Sequence, residues 1–307
     1  MKWRKNMSLY DELCQCLDQS NVSKDEPMSR HTTFRVGGPA DFFVTPTEEE
    51  EVRAVVNLLK KENVPYYVIG NGSNLLVGDG GYRGVVIQIC KNMNKIRVEG
   101  DMVYAQAGAL LSKTAAQALE HALTGMEFAS GIPGTLGGAV MMNAGAYGGE
   151  MKHILYNALA LTKDGEFRVV PADRMELGYR SSVFAKNGDI VLSAQLKLQP
   201  GDPEKIRVYM EELKEKRVTK QPLEYPSAGS TFKRPEGYFA GKLIEDTGLR
   251  GFRVGGAQVS EKHCGFVINR ENATAADIVS LMEQVADRVE AKFGVRLEPE
   301  VRRIGEF

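Results

Sequence analysis

GIPGTLGGAVMMNAGAYGG, residues 131–149, holds seven glycines with small and apolar residues between them. Neither a period of two nor one of 3.6 survives across it, so it reads as neither strand nor helix. Glycine admits positive φ and lets backbone N–H groups come close to a ligand, as a pyrophosphate cradle requires. A tangle of turns in a strand-rich domain would have the same composition. Ordering so long a tract costs conformational entropy that a bound ligand offsets. Gly131, Pro133, Gly134, Gly137, Gly138, Asn143, Gly145, Ala146, Tyr147 and Gly148 are therefore taken as one wall of a dinucleotide site.

VIGNGSNLLV, 68–77, supplies a second wall. It follows an apolar run, and Gly70, Asn71, Gly72, Ser73 and Asn74 offer N–H groups and side-chain donors at its end. It opens like a GxGxxG fingerprint, but Leu75 stands in the third glycine's place and no helix follows at once. As a Rossmann motif the match fails. No Walker A, HExxH or GxSxG pattern occurs, which argues against P-loop, zincin and α/β-hydrolase chemistry. The histidines are scattered, and His263 and Cys264 as neighbours on a strand would face opposite ways, so no metal site is expected.

At 307 residues the chain favours two domains. The hydrophobic fraction of 43% and the charged fraction of 26% are ordinary for a globular protein. Lys plus Arg numbers 39 against 40 for Asp plus Glu, so no nucleic-acid or membrane-surface field is built in and any anion site is local. Cys14, Cys16, Cys90 and Cys264 form no CxxC pair and suit a reducing, cytoplasmic compartment. The basic start MKWRKNMSLYDEL has no apolar run behind it, so neither a signal peptide nor a membrane span is expected.

Leu9, Leu13, Cys16 and Leu17 predict a short amphipathic helix within an extension over 1–25. Thr47 and Glu50 suggest a capping box, and Val52, Val55, Val56 and Leu59 mark the stripe of the helix that follows. That helix runs into VPYYVIG, a β-α-β opening. Hairpins are expected to turn at Gly100 and at Asp164-Gly165, and a helix over 110–123 to end with Gly125 as C-cap. Later helices are expected from Pro203 and over 274–293. The organisation is α+β, with a boundary near residue 200: one domain over 26–200 and a smaller one over 201–307.

Three polar residues complete the reading: Arg180 in ELGYRSSVF, expected just ahead of a strand; Ser230 in YPSAGSTFKRP; and Glu300 in LEPEVRR. Each alone reads as readily as a surface arginine, a loop serine and an exposed glutamate. TTFRVGGPAD, VIGNGSNLLV, GIPGTLGGAVMMNAGAYGGE, YRSSVF, PSAGSTFKRP and LEPEVRRIG, in this order, closely resemble the UDP-N-acetylenolpyruvoylglucosamine reductase family from about Ser29 to Gly305.

The resemblance implies a PCMH or vanillyl-alcohol-oxidase type FAD-binding domain followed by a substrate-binding domain, with the two glycine loops on the flavin pyrophosphate. It implies non-covalent FAD, NADPH as co-substrate, and reduction of UDP-N-acetylglucosamine enolpyruvate to UDP-N-acetylmuramate for peptidoglycan. Hydride would go to C3 and a proton to C2. Arg180 would carry positive charge toward the carboxylate-stabilised enolate, Glu300 would hydrogen-bond the carboxylate, and Ser230 would be the general acid. Lys220 and Arg234 would meet the UDP diphosphate, although Lys220 also suits a helix C-terminus. Part of the family has an insertion bearing a tyrosine that folds over the substrate. This chain has no room for it and resembles the shorter subtype, leaving Tyr225 or Tyr238 as candidates to cover UDP. No protein partner is implied.

Two rival readings remain at this stage. A binding module without turnover would not need Arg180, Ser230 and Glu300 together. A covalent flavin oxidase would carry histidine or cysteine near VIGNGSNLLVGDGG, which has none.

Overall fold

The computed structural model describes residues 7–307; the basic segment 1–6 of the expected extension lies outside the described residues. Two compact units emerge. One takes the chain up to Lys24, Phe42–Asn71 and Gly84–Lys214, and the other takes Asp25–Asp41, Gly72–Arg83 and Glu215–Phe307. The expected domains were contiguous about residue 200; the compact units are interleaved, with 25–41 and 72–83 grouped with the C-terminal part. The reason is a long-range pairing: Arg302–Ile304 lies parallel to Leu75–Val77, Arg303 opposite Leu76. Local sequence patterns do not report pairing over such a separation.

In the first unit, the Leu9–Cys16 helix is capped by the Ser8 hydroxyl, which accepts the Asp11 N–H at 3.3 Å. Helix Glu49–Lys61 buries Val52, Val55, Val56 and Leu59 as its stripe requires. Its glutamates at the start and lysines at the end complement the helix dipole. The capping residue differs from expectation by one. Thr47 N–H and hydroxyl both donate to Glu51, at 2.6 and 2.9 Å, because the helix begins at Glu49. Strand Tyr66–Ile69 then pairs parallel with Tyr82–Gln88, which in the sheet order stands between it and the strand before the helix.

A five-stranded antiparallel sheet forms the rest of this unit, in the order Phe167–Pro171, Leu155–Leu161, Ile190–Lys197, Met102–Gln106, Ile96–Glu99. Both hairpins form, with Gly100 at φ +60° and Gly165 at φ +83°. The helix over Leu111–Glu120 stops earlier than expected, since Ala122 turns left-handed at φ +54°. Gly125 therefore lies beyond the cap. Two further expectations are corrected. The glycine tract contains a helix, Leu136–Met142, whose buried Leu136, Ala139 and Val140 pack against strand Ile190–Lys197. A stripe of three residues in seven is too short for a periodicity search. And Arg180 precedes a short helix, Val183–Asn187, capped by the Ser182 hydroxyl; the strand begins only at Ile190.

The second unit is organised by helix Ala275–Phe293, whose Ile278, Leu281, Val285 and Val289 are fully buried. Thr274 and Asp277 form its capping box, and Asp79 accepts the N–H groups of Ala275 and Ala276 at 2.8 and 3.0 Å. The helix packs on the three-stranded sheet Arg253–Val254, Ala257–Val259, Val267–Asn269. Among the described residues, no helix is long and apolar enough to cross a membrane.

Candidate active site

In the first unit the two glycine loops meet. A Cβ on Gly70 would stand 2.2 Å from the Thr135 hydroxyl oxygen, so only glycine fits against the second loop. The Asn71 amide donates to the Pro133 carbonyl at 2.7 Å, and Gln88 donates to the Gly70 carbonyl at 3.2 Å. Gly137 is likewise pressed on Ala107, at 2.8 Å for a built Cβ. Gly138 is different: it is exposed and helical, and a Cβ there would meet only the Thr135 hydroxyl at an ordinary 3.7 Å. Packing does not require glycine at 138, yet an exposed helical glycine costs up to ~1 kcal/mol against alanine. A glycine there leaves room for close approach of a ligand. Gly145 and Ala146 pair with Glu150 and Gly149 across a two-residue turn, with Tyr147 at φ +52° and Gly148 at φ +87°.

Asn143 ends the Leu136–Met142 helix in the left-handed region at φ +43°, a conformation asparagine tolerates better than most residues. It is 1% exposed. Its side-chain nitrogen donates to the Gly178 carbonyl at 3.0 Å and to the Glu150 carboxylate at 2.9 Å. Its side-chain oxygen accepts the Lys152 N–H at 2.9 Å. The same Glu150 also takes a hydrogen bond from Lys152, and that contact first, with the Asn143 bond in support, holds its carboxyl below the usual range.

Arg180 sits on a tight turn in which Gly178 and Ser181 exchange backbone hydrogen bonds at 3.1 and 3.3 Å. Its φ of +51° is a position where glycine is usual, and holding arginine there costs ~1–2 kcal/mol. The guanidinium lies over the Tyr179 ring at 5.1 Å. Behind the turn, the fully buried Ser182 hydroxyl donates to the Met141 carbonyl at 2.8 Å. The GYRSS segment, 178–182, is thus attached to the glycine tract at two points.

In the second unit, residues 231–233 run antiparallel to 298–300. Phe232 bridges Pro299, the Lys233 N–H donates to the Glu298 carbonyl at 2.8 Å, and the Glu300 N–H donates to the Thr231 carbonyl at 2.8 Å. Thr231 is fully buried; its N–H donates to the Gly265 carbonyl at 2.9 Å and its hydroxyl accepts the Val267 N–H at 2.8 Å. Ser230 is the exposed residue just before this anchor, preceded by Gly229 at φ +76°. Ser230 and Glu300 are therefore neighbours on one rigid platform. The far side of Glu300 is held too, since the Asn74 amide donates to its carbonyl at 3.1 Å and the Arg302 N–H donates to the Asn74 carbonyl at 3.0 Å. Gly72 and the half-buried Ser73 complete that loop within this unit, the Gly72 carbonyl accepting the Thr33 N–H at 3.2 Å.

The remaining candidates are less bound into the fold. Lys220 is the exposed last residue of helix Pro203–Lys220, near enough to add to the forces lowering the His263 pKa, of which burial is the largest. At that helix end Lys262 donates to the Val218 carbonyl at 2.7 Å. The Arg234 guanidinium stacks on Phe239 at 4.0 Å, and its Nε donates to the Tyr238 carbonyl at 3.3 Å. Tyr225 is partly covered by Arg270, 4.4 Å from its ring centre, while Tyr238 is exposed.

The sequence reading passed over Thr135, Thr231 and Ser182, whose hydroxyls are buried and hold the loops. A Ser or Thr just inside a glycine-rich or catalytic stretch was the available signal. Asn71, Asn74 and Asn143, expected at the cofactor, each also carry a side-chain hydrogen bond to protein backbone.

The Thr33 hydroxyl is buried with no hydrogen-bond partner, which is costly unless a ligand or water meets it. Within the first unit, the exposed Gly138 and the glycine-only contact of Gly70 on Thr135 suit the two loops to a dinucleotide. Residues 40–170 match the model of an FAD binding domain, and residues 221–304 match the C-terminal domain of UDP-N-acetylenolpyruvoylglucosamine reductase. In fold alone, a glucose dehydrogenase, Phl p 4.0202, superposes with TM-score 0.50 at 16% identity over 63% of this chain and 44% of its own. This is an FAD-dependent oxidoreductase of the PCMH-like, α+β type.

The nearer relatives narrow that class. The UDP-N-acetylenolpyruvoylglucosamine reductase of Agathobacter rectalis is 53% identical over 98% of this chain and all of its own. That of Clostridioides difficile is 52% identical over 98% and 99%. The crystal structure of the Thermus caldophilus enzyme matches with TM-score 0.78 at 36% identity, over 91% of this chain and 97% of its own. The chain belongs to the UDP-N-acetylenolpyruvoylglucosamine reductase family.

Proposed function

We propose that the protein reduces UDP-N-acetylglucosamine enolpyruvate to UDP-N-acetylmuramate, a peptidoglycan precursor, with NADPH as the source of hydride. The observation that carries this reading is the platform joining Ser230 to Glu300, in a chain whose relatives bear that activity in their names. We take residues 26–200 as the flavin-carrying part and 201–307 as the substrate-binding part.

The glycine loops at 70–74 and 131–148 would hold FAD, which would supply the hydride-transfer chemistry between NADPH and C3 of the enolpyruvyl group. The protein's part is electrostatics and proton delivery. Charge that develops on the enolate and its carboxylate calls for a fixed cation, and Arg180, held in its strained turn, would supply it. Glu300, with its backbone clamped at both N–H and carbonyl, would hydrogen-bond the same carboxylate, for which it must carry or share a proton. Ser230 would protonate C2. A serine hydroxyl is a weak acid, so the rigid anchor at Thr231 has to place it within hydrogen-bond reach of the carbanion. Lys220 and Arg234 would meet the diphosphate as point charge and fork respectively.

The reading is tested by anaerobic spectroscopy of the FAD-loaded protein. A flavin spectrum that bleaches with NADPH and returns with the enolpyruvyl UDP-sugar is the expected result. A flavin that bleaches but does not respond to the sugar would overturn the substrate and leave the fold standing.

A further inference from the structure

We propose that Asn143 is a positioning residue for Arg180, acting on the turn that carries it rather than on the cofactor. This rests on the role proposed for Arg180. Asn143 lies in the glycine tract and invites reading as a flavin contact, yet both ends of its amide are already used inside the protein. One end donates to the Gly178 carbonyl, the first residue of the four-residue turn 178–181. That turn forces Arg180 to φ +51°. A strained conformation persists only where its surroundings over-determine it.

The turn is fixed at its start by Asn143 and just past its end by Ser182, whose hydroxyl donates to Met141. Both anchors reach the same helix, Leu136–Met142, and its cap. Lys152 and Glu150 in turn fix the Asn143 amide so that its nitrogen faces Gly178. The glycine tract would thus serve two ends: glycines toward the flavin, and Asn143 toward the catalytic cation.

The chemistry of the site makes the test specific. Asn143→Gly keeps the left-handed backbone and removes the side-chain bonds. Asn143→Asp keeps the backbone and the acceptor for Lys152 but sets an anionic oxygen against the Gly178 carbonyl and the Glu150 carboxylate. In the FAD-loaded protein, each variant should bind FAD and be reduced by NADPH as wild type does. Reoxidation by the enolpyruvyl UDP-sugar should slow about ten- to a hundredfold, the usual result of loosening a positioned group. Native-state trypsin cleavage after Arg180 should quicken about tenfold, the factor of one lost buried hydrogen bond, with other sites unchanged. In an Arg180→Ala background Asn143→Gly should add little further loss, since the residue acts through Arg180.

Loss of FAD, cleavage that rises at every site, or losses that multiply in the double variant would overturn the proposal. A slow Arg180→Ala beside an unaffected Asn143→Gly would overturn it while sparing the role of Arg180. A wild-type reoxidation rate for Arg180→Ala alone would overturn both.

Discussion

The backbone N–H of Glu300 donates to the carbonyl of Thr231 at 2.8 Å, so the two segments that carry the proposed acid and the proposed carboxylate partner share a hydrogen bond. Seventy residues of sequence separate them, yet neither can shift without the other. Ser230→Ala removes a hydroxyl from the exposed position beside this bond and leaves the bond intact. The variant should remain yellow and reducible by NADPH, with reoxidation by the enolpyruvyl UDP-sugar slowed ~10²–10⁴-fold. Stopped-flow measurement of the second half-reaction decides it; wild-type reoxidation would remove Ser230 from the mechanism.

Thr231→Val tests the platform itself. The swap preserves shape but leaves the Val267 N–H, which donates to the Thr231 hydroxyl at 2.8 Å, buried without a partner. An unsatisfied buried donor costs ~1–3 kcal/mol. Denaturant unfolding should show that loss, and the second half-reaction should slow with it, whereas FAD affinity should hold.

Gly70→Ala should abolish or severely weaken FAD binding, because the added methyl overlaps the Thr135 hydroxyl at 2.2 Å. Overpacking of this kind costs ~1–3 kcal/mol. Thr135→Ala in the same chain removes the clashing oxygen and should restore part of the affinity, measured by flavin fluorescence on titration. Equal affinity in the single and double variants would show that the loops do not meet through this pair.

Gly138→Ala should act oppositely on stability and on binding. Nothing in the protein resists a methyl there, and alanine favours a helix by up to ~1 kcal/mol. The FAD-free protein should melt at a higher temperature and bind FAD more weakly. A stabilised protein with unchanged affinity would place the cofactor away from this helix.

His263 gives the pH prediction. Burial lowers its pKa below 6.5, with Arg250 and Lys220 adding to the effect, so the folded protein favours the neutral ring. Its Nδ1 accepts the N–H of Gly265 at 3.1 Å, the residue whose carbonyl anchors Thr231. Because the folded pKa is depressed, stability is fully present above pH 6.5 and is lost as pH falls through the folded value. The contribution can reach at most the slope of one proton, about 1.4 kcal/mol per pH unit. His263→Asn, which keeps an acceptor but cannot titrate, should flatten that part of the unfolding free energy below pH 6.5.

The fold was legible where periodicity runs long: helix Ala275–Phe293 and the stripe Val52–Val55–Val56–Leu59 stand where the pattern placed them. It was not legible where the element is short, as with the seven-residue helix inside the glycine tract. Pairings across hundreds of residues were equally hidden, which is why 72–83 group with the C-terminal part. At the site, Gly70 and Ser230 could be singled out because glycine and serine in such stretches carry a chemical meaning. The sequence does not show where the asparagine amides point, because an amide donor looks the same whether it faces a phosphate or a carbonyl. Only the coordinates distinguish Asn71 on Pro133, Asn74 on Glu300 and Asn143 on Gly178.

The parallel pairing of Arg302–Ile304 with Leu75–Val77 bears on how the protein is made. During synthesis Leu75–Val77 leaves the ribosome more than two hundred residues before its partner exists. Until then it is an apolar strand with open hydrogen-bonding groups, the kind of edge that chaperones cover and that aggregation exploits. Glu300 arrives with that partner, so the clamp on its carbonyl by Asn74 can close only after this stretch has been made. A nascent chain stalled before residue 300 could complete most of its first unit yet have no assembled acid platform. Assembly of the proposed acid platform would then wait on the strand that pairs with Leu75–Val77.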